Sequence, residues 1–281
     1  MIASDWGRWL IDEIELADPA QLTLWYLGCN GLVLKAADGT TVYIDPYLGT
    51  GDPPRTVRMI PVPFDPDTPS VASAVVVTHE HTDHLHGPSQ GPIIQETGAS
   101  LVASSGCIDL AMDRGWGDTY SMEPDQFESI EPGDVTAFGD LEMFAYQGTD
   151  PDADYDLTYV FEYDGVTVVH PGDGRPSPVL EEIGATHDVD VAVVAVGSVG
   201  MIPDKETREP KRTAWYNDPD DCIHVASQLR TNVLIPTHWD MWRGLTTDPR
   251  NVDEHRRSFE HPQRVDVLTI GDRYDCSVQL P

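Results

Sequence analysis

Short apolar runs alternate with turn-forming clusters along most of the chain, the signature of strands joined by tight connections. Leu22-Thr-Leu-Trp-Tyr-Leu27 and Leu32-Val-Leu-Lys35 precede the turn Ala37-Asp38-Gly39-Thr40 and the run Thr41-Val-Tyr-Ile-Asp45. Apolar runs flanking an Asp-Gly pair predict antiparallel strands. Further strands are predicted over residues 74–78, 100–103, 135–146, 157–170 (turning at Asp164-Gly165), 190–196, 232–236, 265–270 and 274–278. Helical spacing is rarer. Ser4 or Asp5 is placed to cap a short helix whose stripe is Trp6, Trp9, Leu10 and Ile14, the tryptophans being assigned to core packing. A second helix begins over 179–183, and a third spans 220–229 with Pro219 near its first turn. Residues 51–70, rich in Pro, Asp and Gly, form a loop that covers the site. Strands in runs, with helices after some of them, predict an α+β fold of two facing sheets with helices outside. No repeat or low-complexity linker divides the chain, so residues 1–281 are read as one domain.

Composition narrows this picture. The chain has 17 Lys+Arg against 48 Asp+Glu, a formal net charge of −31, and the negative charge is spread along it. At 40% hydrophobic residues with clear strand patterns, it is not a disordered acidic protein. Nucleic acid is excluded as a partner, because phosphate contacts need a basic face. So acidic a surface is expected in a halophilic, salt-in cytoplasm, where its self-repulsion is screened. Cys29, Cys107, Cys222 and Cys276 show no CxxC spacing and are read as reduced thiols. The first twenty residues carry no signal-peptide pattern and no window has the length of a membrane helix, so a cytoplasmic protein without membrane contact is expected. Self-association into a homo-oligomer is left open.

The chemistry concentrates in one place. His79-Glu80-His81-Thr82-Asp83-His84 follows directly on an apolar strand, and strand ends are where folds place catalytic loops. A turn there directs alternate imidazoles into one space, while Asp83 and His84 face a second position nearby. Imidazole and carboxylate donors suit Zn, Mn or Fe. Such a run is half a site and needs partners from other strand ends. Val166-Thr-Val-Val-His170-Pro171-Gly172-Asp173 offers Asp173 as a bridging carboxylate, and Leu234-Ile-Pro-Thr-His238 ends on a histidine. His86, His187, His224, His255 and His261 lack partners at ligand spacing and are set aside.

In the order H-x-H-x-D-H, Gly-Asp, Ile-Pro-x-His, the chain resembles the metallo-β-lactamase superfamily. More narrowly it resembles the L-ascorbate-6-phosphate lactonase family, through Trp6-Gly-Arg-Trp-Leu-Ile-Asp-Glu-Ile-Glu15, Trp25-Tyr-Leu-Gly-Cys-Asn-Gly31, Gly49-Thr-Gly51 and Ile235-Pro-Thr-His-Trp-Asp-Met-Trp242. The resemblance implies a metallo-β-lactamase-like αββα sandwich and the ligands His79, His81, Asp83, His84, Asp173 and His238, holding one or two divalent ions. The chain departs from the superfamily where another metal-binding His commonly precedes Gly-Asp. Gln147 occupies that stretch, and an amide oxygen, being a harder ligand, favours Mn over Zn. The chain also looks shorter than the lactonases it resembles.

A divalent cation lowers the pKa of water towards about 7, which suits attack on the carbonyl of a cyclic ester. Asp83 and Asp173 are the candidate catalytic carboxylates. Asp83 either orients water and protonates the departing ring oxygen or serves purely as a ligand. Gln147, Arg175 and Tyr47 are candidate substrate contacts, and His170 is expected to hydrogen-bond behind the ligands. Asp45 is expected to fix the turn under the site. Asn217 and Asp220 are candidates to support the last histidine loop; the alternative is that Asn217 and Asp218 only cap a helix. Lys205, Arg208, Lys211 and Arg212 lie in one Pro-flanked loop; they recognise an anionic sugar or, the better fit to this composition, offset local acidic charge. The expected function is hydrolysis of a small-molecule sugar lactone, an aldonolactone such as xylonolactone or arabinonolactone, in carbohydrate breakdown. The alternatives are L-ascorbate 6-phosphate as substrate, a phosphodiesterase on the same fold, or a non-catalytic metal sensor.

Overall fold

In the computed structural model, which describes residues 2–276, the apolar runs become strands nearly where the alternation places them. Helix α1 (Trp9–Leu16) is followed by β1 (Leu22–Gly28), β2 (Gly31–Ala36), β3 (Thr41–Ile44) and β4 (Ala74–Val76). Then come α2 (Gly87–Thr97), β5 (Ser100–Ala103), α3 (Ser105–Asp113), α4 (Trp116–Tyr120) and β6 (Phe127–Ser129). The middle of the chain contributes β7 (Val135–Phe138), β8 (Leu141–Gln147), β9 (Leu157–Tyr163), β10 (Val166–His170), α5 (Pro178–Thr186) and β11 (Val191–Ala195). A hairpin of β12 (Gly200–Pro203) and β13 (Pro210–Thr213) precedes α6 (Pro219–Gln228), β14 (Val233–Thr237), α7 (Arg250–Arg256), β15 (Arg264–Val265) and β16 (Arg273–Asp275).

These strands form two seven-stranded mixed sheets, ordered β16-β1-β2-β3-β4-β5-β6 and β15-β14-β11-β10-β9-β8-β7. Leu24, Leu34, Ile44 and Val76 from the first sheet meet Met143, Phe161, Val168 and Ile235 from the second in one buried core. The opposite faces are covered in turn. Leu10, Ile14, Ile93 and Trp116 pack on the first sheet, and Leu180, Ile223 and Val252 on the second. This is the four-layered αββα arrangement. Because both faces are covered, β1, β2, β3, β10, β11 and β14 are buried at every position, which is why their sequences read as continuous apolar runs. Among the described residues, no helix is long and apolar enough to cross a membrane.

Several expectations are corrected. The residue preceding α1 is Arg8, with no side-chain cap. Ser4 and Asp5 instead tie the N-terminal segment to Val62, Ser4 Oγ donating to its carbonyl and Asp5 Oδ2 accepting from its amide. Trp9 is exposed and meets Trp6 edge-on, so only Leu10 and Ile14 of the predicted stripe enter the core. The strand expected over 265–270 is confined to Arg264–Val265, and the end of the one expected over 274–278 lies outside the described residues. Helix α2 had no sequence signal, since Gly and Pro are its poorest formers. Its glycine at 91 is required by packing: a Cβ there would fall 2.2 Å from the Tyr120 ring of α4.

Candidate metal centre

The parallel strands β3 and β4 of one sheet, and β10, β11 and β14 of the other, end at the same edge of the sandwich. Asp45 follows β3, the histidine run follows β4, Asp173 follows β10 and His238 follows β14. The β1–β2 turn, carrying Cys29 and Asn30, reaches the same edge because Leu32 pairs with Ile44. The two sheets are tied together there, Leu157 N donating to Thr78 O at 2.9 Å and Tyr159 Oη to Val77 O at 2.9 Å. Among the described residues, three of the seven non-glycine residues with positive φ lie at this edge: Cys29 (59°), Asp45 (44°) and His238 (63°). Such conformations cost free energy and collect where the surroundings hold side chains for function. Gly172 (φ 59°) lets the turn before Asp173 run close to Thr78, whose Cβ would lie 3.1 Å from an added Cβ.

Hydrogen bonds fix which imidazole nitrogens carry protons. Asp45, fully buried, accepts from Thr78 N at 2.8 Å through Oδ1; through Oδ2 it accepts from Thr78 Oγ1 at 2.6 Å and His84 Nδ1 at 2.7 Å. With its hydroxyl proton given to Asp45, Thr78 Oγ1 must accept from His79 Nδ1 at 2.9 Å. His81 Nε2 donates to the Asp152 carbonyl at 3.2 Å. The lone pairs left over point inward. His79 Nε2 and His81 Nδ1 face each other at 2.9 Å, two lone-pair positions when both rings are neutral. His84 Nε2 is buried with no hydrogen-bonding partner, although Asp173 Oδ2 lies 3.4 Å away.

Carboxylates complete two neighbouring pockets of donors. Asp150 Oδ2 is 3.8 Å from His79 Nε2 and 3.6 Å from His81 Nδ1. His238 Nε2 is 3.5 Å from Asp83 Oδ2 and 3.6 Å from Asp173 Oδ1. Asp173 is shared between the pockets: donor atoms of His79, His84 and Asp173 lie within 4.8 Å of one another, and His238 Nε2 is on its other oxygen, as a bridging carboxylate would require. Opposed lone pairs and an orphaned buried nitrogen are unfavourable unless a cation sits among them. The donors therefore fit one or two divalent ions of the Zn or Mn type.

The electrostatics agree. Burial, and then the neighbouring His84 charge, push the His79 pKa down to about 3, so this ring is neutral and ready to ligate. Burial also works against the His84 cation, but Asp173 and Asp45 outweigh it and raise its pKa well above the usual imidazole value. Burial would raise Asp173, yet His84 and His238 hold it well below the carboxylate range. Asp150 is pushed up to about 6 by burial and by the Asp173 charge.

Support behind the ligands is dense. His170 Nε2 donates to Asn30 O at 2.9 Å, and its Nδ1 accepts from Gly172 N, which sets the Pro171-Gly172-Asp173 turn. Asn30 Nδ2 donates to Asp173 Oδ1 at 3.2 Å, while its Oδ1 accepts from Thr237 Oγ1 at 2.6 Å. Trp242 Nε1 donates to Asp83 Oδ2 at 3.1 Å, and Tyr216 stacks on the His238 ring with centroids 3.9 Å apart. Gln90 of α2 donates to the His84 carbonyl and accepts from His86 N, holding the histidine turn.

The six sequence-predicted ligands, His79, His81, Asp83, His84, Asp173 and His238, are brought together. Tyr47 lines the adjoining cavity of about 1170 Å³ and meets Trp242 edge-on. Gln147 does not join them: it is exposed at the end of β8, and the buried side chain next to His79 and His81 is Asp150, three residues on. Arg175 lies away from the cavity lining and donates to Ala214 O. Asn217 ties Gly174 to Ala195 and does not reach the last histidine loop; Asp218 caps α6 by accepting from Asp220 N and Asp221 N. His86, set aside on sequence, also lines the cavity. Asp150, Cys29 and Asn30 were missed. For Asp150 and Asn30 the available signal was their place just past a strand end, the criterion that selects Asp173.

Residues 40–239 match the family model described as beta-lactamase superfamily domain. UlaG of Escherichia fergusonii, which carries the name probable L-ascorbate-6-phosphate lactonase, is 28% identical over 293 residues, covering 88% of this chain and 78% of the relative. Among solved structures, the metallo hydrolase Igni18 of Ignicoccus hospitalis superposes with a TM-score of 0.65 at 19% identity, over 90% of this chain and 97% of that one. An isothiocyanate hydrolase from Delia radicum gut bacteria gives 0.64 at 16% identity, over 90% and 98%. Both structural likenesses concern the fold.

Proposed function

The chain belongs to the β-lactamase superfamily, and from that premise we propose that it is a metal-dependent lactonase opening a sugar-derived lactone. The opposed lone pairs of His79 Nε2 and His81 Nδ1 at 2.9 Å carry the metal part of this reading. The likeness to UlaG supports the lactone part. His79, His81, Asp150 and Asp173 would hold one ion, and Asp83, His84, His238 and Asp173 a second. Zinc or manganese bound there supplies Lewis acidity and water of lowered pKa, towards about 7.

Hydrolysis adds water across the ring ester. The water oxygen bonds to the acyl carbon and the ring C–O bond breaks. One proton ends on the leaving oxygen, and the new acid gives up the other to solvent. Asp83 is the group suited to carry the proton to the leaving ring oxygen: its carboxylate lines the cavity, is partly exposed, and is held by the Trp242 indole. Asp173 lines the same cavity but is more deeply buried than Asp83, and serves to set the distance between the two donor pockets.

One observation favours a lactone bearing an anionic group, such as a sugar lactone phosphate, over an unphosphorylated aldonolactone. Cations are scarce in this chain, yet Arg55, Arg114, Lys205, Lys211 and Arg212 line the cavity beside the donors, and none makes an ion pair among the described residues. Lys205 lies in the turn of the β12–β13 hairpin and Lys211 and Arg212 on its second strand, while Arg55 stacks over Trp215 at 5.0 Å with its Nε buried and unpartnered. A purely charge-offsetting role does not account for their convergence on a cavity. The acidic composition supports a high-salt cytoplasm as the setting.

Acid release from neutral and phosphorylated sugar lactones, in multimolar KCl with added Zn or Mn, tests the proposal. The expected result is metal-dependent turnover that His81→Ala abolishes. Spontaneous rates on every lactone, with turnover of a bis-aryl phosphodiester, would move the reading to phosphodiesterase.

A further inference from the structure

We propose that Cys29 is itself a ligand of the centre, giving the pocket built on Asp83 and His238 a sulfur donor and a preference for zinc-like cations over manganese. This rests on the reading that the centre binds a divalent cation, and is independent of the substrate.

The thiol stands among ligand atoms. Cys29 Sγ is 3.4 Å from His238 Nε2 and 3.7 Å from Asp83 Oδ2, and one donor atom of each of the three residues falls within 4.8 Å of the others. The backbone aims it there. Cys29 O accepts from His238 N at 2.8 Å and from Tyr26 Oη at 3.0 Å, so the two residues are anchored to each other. Both hold left-handed φ, a strain that residues with Cβ atoms keep where the site requires their direction. The ordinary role of a buried cysteine is that of a small apolar group, and Cys29 does share a buried apolar cluster with Tyr216, Met241 and Trp242. The other three cysteines show that role alone. Cys107, Cys222 and Cys276 are equally buried but belong to no group of metal-ligating atoms among the described residues.

On binding, the S–H bond breaks heterolytically, its proton leaves to solvent and the sulfur bonds to the cation; nothing is oxidised or reduced. A thiolate is a soft donor, which Zn and Co accept far better than Mn. The manganese preference expected from Gln147 loses its basis, because that amide is exposed and a thiol stands at the centre instead.

The full chain loaded with Co(II) gives a readout separate from activity. A near-ultraviolet sulfur-to-cobalt charge-transfer band is expected in the wild type, retained in Cys107→Ser, and lost in Cys29→Ser while the visible cobalt bands persist. Zinc X-ray absorption of the wild type should show a sulfur at about 2.3 Å, which decides the question even if Cys29→Ser does not fold. Stoichiometric cobalt without the band, or a band that survives Cys29→Ser, overturns the assignment and leaves the metal centre standing. No cobalt retained on dialysis overturns both.

Discussion

Asp45 Oδ2 lies 2.7 Å from His84 Nδ1, both groups fully buried, and this contact decides which nitrogen of His84 faces the centre. Asp45 can only accept, so the imidazole proton sits on Nδ1 and Nε2 offers its lone pair inward. Asp45→Asn keeps the shape but turns an N–H towards Nδ1 or leaves it unpaired, favouring the wrong tautomer. Metal affinity is expected to fall about 10–100-fold, the usual cost of removing such a partner. Competition with a coloured chelator measures it. Unchanged affinity would show that the tautomer is set by something else.

Asp150 and Gln147 separate equally cleanly. The carboxylate of Asp150 faces His79 and His81, while Gln147 is exposed at the strand end. Asp150→Ala is expected to lose one equivalent of bound metal and most activity. Gln147→Ala is expected to match the wild type in both. Metal analysis after gel filtration reads the first effect, and a loss of metal in Gln147→Ala would contradict the placement.

That contrast also shows what was legible in the sequence. The histidine run, Asp173 and His238 could be found because each follows an apolar run that can only be a buried strand. Asp150 could not be singled out, since Asp150, Asp152, Asp154 and Asp156 alternate in one polar stretch and only the fold buries the first of them more deeply than its neighbours. Cys29 looked like any core cysteine until the β1–β2 turn brought it to His238. Arg208, with φ of 62°, sits in the tip of a hairpin whose strands are largely exposed and so lack the apolar alternation that marks the others. Helix α2 was hidden because its glycines serve contact with α4 at the expense of helix propensity.

The hairpin cations bear on substrate choice. If Lys211 and Arg212 bind an anionic group remote from the reacting carbonyl, their loss removes binding common to ground and transition states. For a phosphorylated lactone, Lys211→Ala with Arg212→Ala is expected to raise KM by roughly 10-fold or more, the scale of losing a charge-assisted hydrogen bond, with kcat little changed. For a neutral lactone both constants should stay put. Equal effects on the two substrates would assign the hairpin a structural role.

Salt dependence follows from the charge itself. With a net charge of −31 on 281 residues, the folded state brings carboxylates closer together than the unfolded chain does, and their repulsion opposes folding. Screening shortens from about 10 Å at 0.1 M salt to about 3 Å at 1 M, so the apparent Tm is expected to climb steeply with KCl over that range. Two causes can be told apart by the shape of the curve. Pure screening saturates once the Debye length falls below the spacing of surface charges, and NaCl then acts like KCl. Stabilisation by exclusion of salt from the surface continues to rise, and sulfate, or an uncharged osmolyte such as sucrose, reproduces it. Thermal melts followed by circular dichroism, in metal-free and zinc-loaded protein, separate these effects from neutralisation of the carboxylates at the centre itself. A Tm independent of salt from dilute buffer upwards would refute the halophilic reading, because repulsion of this size cannot then be limiting the fold.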